Sequence, residues 1–142
     1  IKGDRVLLVS ENRPEWLIAD LAILLNSGIT VPNYTTYTVN DFAFTINDCK
    51  PSGLIVSSPQ LLKNILLAAR KINYNFNFII LLNETNEVVA DNVINFSTIK
   101  EKKIDIEETK IFFKKIRGLL PLVHPRPAGL MWLMTQMTQR IL

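Results

Sequence analysis

The chain has 142 residues, 48% hydrophobic and 20% charged, the balance of one folded domain rather than of a disordered segment. With 16 Lys and Arg against 13 Asp and Glu, the net charge of +3 is too small and too evenly spread to form a nucleic-acid-binding face. Cys49 and His124 are single in the sequence, so an internal disulfide, a thiolate-cluster site and a histidine metal centre are excluded, and a reducing, cytoplasmic setting is expected.

Asp4 to Ser10 is a near-continuous apolar run after a Lys-Gly turn and reads as a strand covered on both faces. Asn12-Arg13-Pro14-Glu15 reads as a helix start, with Asn12 capping, Pro14 in the first turn and Glu15 completing a capping box. The helix Trp16 to Ser27 is apolar nearly all round and should be buried, and Gly28 should end it by taking the left-handed conformation. Ile29 to Val31 is a strand leading to Pro32. Val39, Phe42, Ala43 and Ile46 then mark one face of a helix opened by Thr38. A turn over Lys50 to Gly53 precedes the strand Leu54 to Ser57. Ser58-Pro59 starts a helix with Leu61, Leu62, Ile65, Leu66, Ala69 and Ile72 inward. Phe76 to Leu82 is a further buried strand. A weaker one near Val93 to Phe96 leads into a charged, amphipathic segment from Lys100 to Arg117.

This alternation predicts an α/β fold: a parallel sheet with helices on both faces and strands near residues 4–10, 29–33, 54–57 and 77–82. The longest apolar helix, Trp16 to Leu25, is too short to span a membrane and carries Asp20. No secretory leader is legible, and a start at Ile1 rather than Met implies a longer product. Pro32 and Tyr34 are expected to shape the strand end and fill the core, Trp16 to anchor it, and Asp20 to be a buried carboxylate with a structural partner.

Lys2-Gly3-Asp4-Arg5-Val6, Ser10 to Trp16, Ala19 to Ile23, Gly28 to Thr36, Ile46-Asn47-Asp48 and Leu54 to Ser57 together resemble the AMP-forming acyl-CoA synthetases, particularly the long-chain fatty-acid ligases. The resemblance is good to about residue 82 and thins toward residue 117. Asn-Arg-Pro-Glu-Trp and Gly-x-x-Val-Pro-x-Tyr are specific together and weak singly. The resemblance implies a partial N-terminal domain of an adenylate-forming ligase over residues 1–117. It further implies a parent enzyme that takes a fatty acid, ATP, CoA and Mg2+ and forms an acyl-adenylate before the thioester. The matched region supplies scaffold and no catalytic, cofactor-binding or metal residue. The acetyl-CoA synthetases and amino-acid-activating domains are rival branches, and a non-catalytic α/β binding module is a rival of another class.

The family's glycine-rich phosphate loop should follow the matched region. In its place stands Leu119-Leu120-Pro121-Leu122-Val123-His124-Pro125-Arg126-Pro127-Ala128-Gly129, and no two of the five glycines lie within ten residues of each other. The chain as it stands is therefore expected to bind none of these cofactors and to be inactive. Residues 1–117 hold thirteen Asn and residues 118–142 none, while all three Met fall in the latter. If the third base of each codon from Val123 onward is joined to the first two bases of the next, the family loop is permitted at five of six positions. Residues 118–142 thus read as an atypical tail, out of frame, with an inserted segment or a divergent tail as alternatives. Peripheral membrane contact through Leu130 to Leu142 has little support, because polar residues interrupt that short apolar run.

Overall fold

The computed structural model describes residues 3–83 and 92–100. The chain divides into two units, Ile1–Lys102 and Lys103–Leu142, and every described residue belongs to the first. The readings made for residues 101–117 and 118–142, with the boundary between them, lie outside the described residues.

Five strands form one parallel sheet: β1 (Arg5–Val9), β2 (Ile29–Asn33), β3 (Gly53–Val56), β4 (Phe78–Leu81) and β5 (Val93–Asn95), in the order β2-β1-β3-β4-β5. The helices are α1 (Pro14–Leu25), α2 (Val39–Cys49), α3 (Pro59–Lys71) and α4 (Phe96–Lys100). The sheet is covered on both faces, as its apolar strands require. On one face Leu7, Val9, Leu54, Val56, Ile79 and Leu81 meet Phe42 and Ile46 of α2 and Leu62 and Ile65 of α3. On the other, Val6, Leu8, Ile55 and Leu82 meet Ala19 and Ile23 of α1. Alternate residues of each strand face opposite ways, so an apolar run serves both layers.

Two helix starts follow their sequence signals. Thr38 Oγ1 accepts from the Asp41 amide at 3.4 Å and the Asp41 carboxylate accepts from the Thr38 amide at 2.9 Å, a closed capping box. Ser58 Oγ accepts from the Leu61 amide at 3.3 Å.

The start and burial of α1 depart from expectation. Arg13, not Asn12, is the N-cap, with no side-chain cap bond, because Pro14 sets the first turn one residue later. Glu15 then stands at the second helical position and binds Arg13 instead of closing a box. Only Ala19 and Ile23 are buried; Leu17, Ile18 and Leu24 are 46%, 47% and 53% exposed. A helix turns one stripe to one neighbour, and here the sheet is its only layer among the described residues. Asp20 is accordingly half-buried on a helix flank, not a core carboxylate, and Trp16 is half-buried against the second cluster.

Gly28 does not take the left-handed conformation; Ser27 does, at φ 60°. Gly28 instead sits at a close approach, where a Cβ would lie 3.0 Å from Ile23 Cγ2 and 3.2 Å from the Asp4 carbonyl oxygen, tighter than side chains ordinarily pack. Gly53 belongs to β3 rather than to the preceding turn, where Lys50 adopts φ 47°. Pro32 and Tyr34 do not fill the core. Pro32 is exposed on edge strand β2, where proline is tolerated. Tyr34 is 72% exposed, its ring edge-on to Tyr37 at 5.6 Å.

Candidate functional site

In doubly wound sheets ligands bind outside the carboxyl ends of the strands, at the point where strand order reverses. Here the chain runs from β1 outward to β2, then returns past β1 to β3, so the reversal lies between β1 and β3. The segments that meet there are Ser10 to Arg13 after β1, Ser57-Ser58 after β3 and Leu82-Asn83 after β4.

Main-chain bonds knit these ends together. The Ser57 amide donates to the Val9 carbonyl at 3.0 Å, and the Asn83 amide donates to the Ser57 carbonyl at 3.0 Å. Arg13 donates from Nε to Glu15 at 2.8 Å and from Nη1 to Asn83 Oδ1 at 2.6 Å. Ser57 is fully buried and its hydroxyl has no partner of hydrogen-bonding geometry. The Glu11 carboxyl is near enough to feel it. A hydrogen bond from Glu11's own backbone amide, then the Ser57 hydroxyl, hold that carboxyl below its usual range, and Arg13 adds to the effect. On the opposite face, Val9, Val56 and Leu81 form an apolar row flanked by Asn33 and Asn95, each with one buried, unpartnered amide atom.

Among the described residues this edge carries no glycine and one paired cation. The described glycines, Gly3, Gly28 and Gly53, all lie at the amino ends of strands, on the opposite edge of the sheet. Arg13 is the only cation of the site segments and is already bound to Glu15, while Glu11 adds a second negative charge. The cation nearest an incoming phosphate is thus already paired. Among the described residues no group of three or more His, Cys, Asp or Glu could hold a metal ion, and no helix is long and apolar enough to cross a membrane. Burial pushes the thiol of Cys49 upward, away from nucleophilic reactivity at neutral pH.

A sequence model of the family described as "AMP-binding enzyme" matches residues 1–112. The chain belongs to the AMP-binding enzyme family. It is 34% identical over 62 residues to Fatty acyl-CoA synthetase A of Dictyostelium discoideum, a match covering 44% of this chain and 9% of that protein. It is also 34% identical over 85 residues to Long-chain-fatty-acid–CoA ligase 6 of Homo sapiens, covering 58% of this chain and 12% of that one. The matched stretch is thus about a tenth of either relative's length. Among solved structures, the luciferase-like enzyme of the mealworm Zophobas morio superposes with TM-score 0.64 at 18% identity, over 74% of this chain and 23% of that one. The A-PCP didomain of carboxylic acid reductase from Segniliparus rugosus does so with TM-score 0.58 at 13% identity, over 69% and 16%. These likenesses establish the fold, which this chain shares with both over the matched parts. The resemblance read from Asn-Arg-Pro-Glu-Trp and Gly-x-x-Val-Pro-x-Tyr is confirmed at the level of the family.

Sequence reasoning missed the tie between Arg13 and Asn83, which are 70 residues apart. Nothing local distinguishes an arginine at a helix start that binds a distant strand end from one that faces solvent.

Proposed function

We propose that the chain is an N-terminal scaffold portion of an AMP-forming acyl-CoA synthetase of the long-chain fatty-acid type, and that by itself it is inert. The family match over residues 1–112 carries this reading. The names of the two curated relatives support the fatty-acid branch over acetate- or amino-acid-activating ligases.

In the reaction of the parent enzyme, a fatty-acid carboxylate attacks the α-phosphorus of ATP and pyrophosphate leaves, giving the acyl-adenylate. The thiol of CoA then attacks the acyl carbon, forming the thioester and releasing AMP. Mg2+ would offset the phosphate charge. Such chemistry needs donors fixed where charge develops, and the sequence has no glycine-rich phosphate loop to supply them. The described residues contribute a parallel sheet covered by helices on both faces.

The test is release of pyrophosphate from ATP, Mg2+, CoA and a fatty acid. The purified chain should give none above background. Fatty-acid-dependent release by this chain would overturn the claim of inertness. The nucleotide sequence through codons 110–142 should place the family loop in a shifted frame. A chain continued in that frame should release pyrophosphate with long fatty acids in preference to acetate or amino acids. The opposite preference would overturn the assignment to the long-chain branch.

A further inference from the structure

We propose that Arg13 is a strap across the topological switch point: it locks the carboxyl end of β4 onto the β1–α1 loop and closes the crevice between β1 and β3 to ligands.

Three contacts close a ring over the strand ends. Val9 receives the Ser57 amide at 3.0 Å, Ser57 receives the Asn83 amide at 3.0 Å, and Asn83 receives Arg13 Nη1 at 2.6 Å. Arg13 lies only four residues beyond Val9, so the side-chain bond returns the path from β4 to where it began on β1. The two main-chain bonds continue the ladder β1–β3–β4. The guanidinium closes it, and β3 is enclosed between the strands so joined.

Four observations fit a strap better than a helix cap or a free surface cation. Ser57, inside the ring, is fully buried although it stands at the open end of a strand, where a side chain would ordinarily meet water. Arg13 occupies the N-cap of α1 without a side-chain capping bond, so no backbone amide of the helix start competes for its guanidinium. Its Nε is held by Glu15 on the first turn of α1, which aims the other arm of the fork and lowers the entropy lost in reaching Asn83. Glu11 and Glu15 both lie beside the guanidinium, so an incoming anion meets two carboxylates and a cation already paired.

Arg13 is therefore a positioning residue, and its effect should be local. Amide hydrogen exchange of the whole chain reads it. In Arg13→Ala, exchange at Leu82 and Asn83 should accelerate about five- to tenfold, or about 1–1.4 kcal/mol. Ile65, in the middle of α3, should be unchanged. Asn83→Ala, an exposed change that leaves the helix start intact, should have the same effect at Leu82. The double variant should add nothing to either single one, because both remove one contact. Equal acceleration at Ile65 and Leu82, or additive effects of the two substitutions, would overturn the strap. Titration with inorganic phosphate supplies the second arm. No saturable protection of Ser57, Leu82 or Asn83 is expected. Protection that saturates at millimolar phosphate and disappears in Arg13→Ala would show an anion site in place of a closed crevice.

Discussion

Replacing Gly53 with alanine tests how β3 and β4 are packed. Gly53 is paired with Phe78 in the register, and the ring lies across it: an added Cβ would be 2.1 Å from Cζ and 2.4 and 2.6 Å from the two Cε atoms. Carbon atoms settle at about 3.5–4.0 Å, so the ring must move by roughly 1.5 Å. Phe78 is half-buried in the cluster with Leu8, Ile55 and Leu82, and the move forfeits part of that packing. Overpacking of this kind costs about 1–3 kcal/mol. The alanine recovers about 0.4–1 kcal/mol by restricting the unfolded chain, leaving a net loss of about 1–2 kcal/mol. Urea unfolding of Gly53→Ala, Phe78→Ala and the double variant measures it. Once the ring is gone the alanine should cost nothing, so the cycle should return a coupling of about 1 kcal/mol or more. A Gly53→Ala chain within about 0.5 kcal/mol of the parent, or two additive substitutions, would refute the claim that the ring requires glycine beneath it.

Thr38→Ala opens the capping box of α2 and should cost about 1 kcal/mol in the same assay; a loss confined to a few tenths would show that the Thr38–Asp41 pair is incidental. Hydrogen bonds from the Thr38 amide, then from its hydroxyl, hold the Asp41 carboxyl below the ordinary aspartate range. A folded pKa below the unfolded one stabilises at higher pH, and the benefit is lost as pH falls from the unfolded value, roughly 4, through the folded one. Asp41→Asn should therefore flatten the acid limb of the stability profile, and an unchanged limb would remove the carboxylate from the account. If residues 118–142 are out of frame, they were never selected to complete the fold, and deleting them should leave the stability in urea unchanged. A drop of several kcal/mol would show a selected tail and end the frameshift reading.

The strands were legible because buried parallel strands are apolar throughout: Arg5–Val9 and Gly53–Val56 fall within a residue or so of their expected limits. So was the inner face of α2, because Phe42, Ala43 and Ile46 repeat with helical spacing. Gly28 was given the right place and the wrong cause. A sequence shows that glycine ends a helix, but not whether φ or a close backbone demands it. The apolar circumference of α1 misled in a different way. Composition tells that Leu17 and Leu24 can be covered, not that the chain at hand supplies the cover. The tie from Arg13 to Asn83 was illegible for a third reason, since it depends on strand order, which no local pattern encodes.

Pro32 gives the sheet a direction of growth. Along a strand successive amides point to opposite sides, and the Ile29 amide points inward to the Asp4 carbonyl at 2.8 Å. Val31 and Asn33 therefore also face β1, whereas Thr30 and Pro32 face away. The outward position at 32 has no hydrogen to give, so a strand arriving beside β2 meets a break in the ladder at the fourth of its five residues. Backbone pairing with a foreign chain is weakened at that margin by one covalent ring, a steric effect that salt does not screen. For a polypeptide with exposed leucines on α1, this separates two hazards that usually travel together: apolar side chains can draw such molecules together, but the β2 margin resists turning the gathering into a continuous cross-strand array.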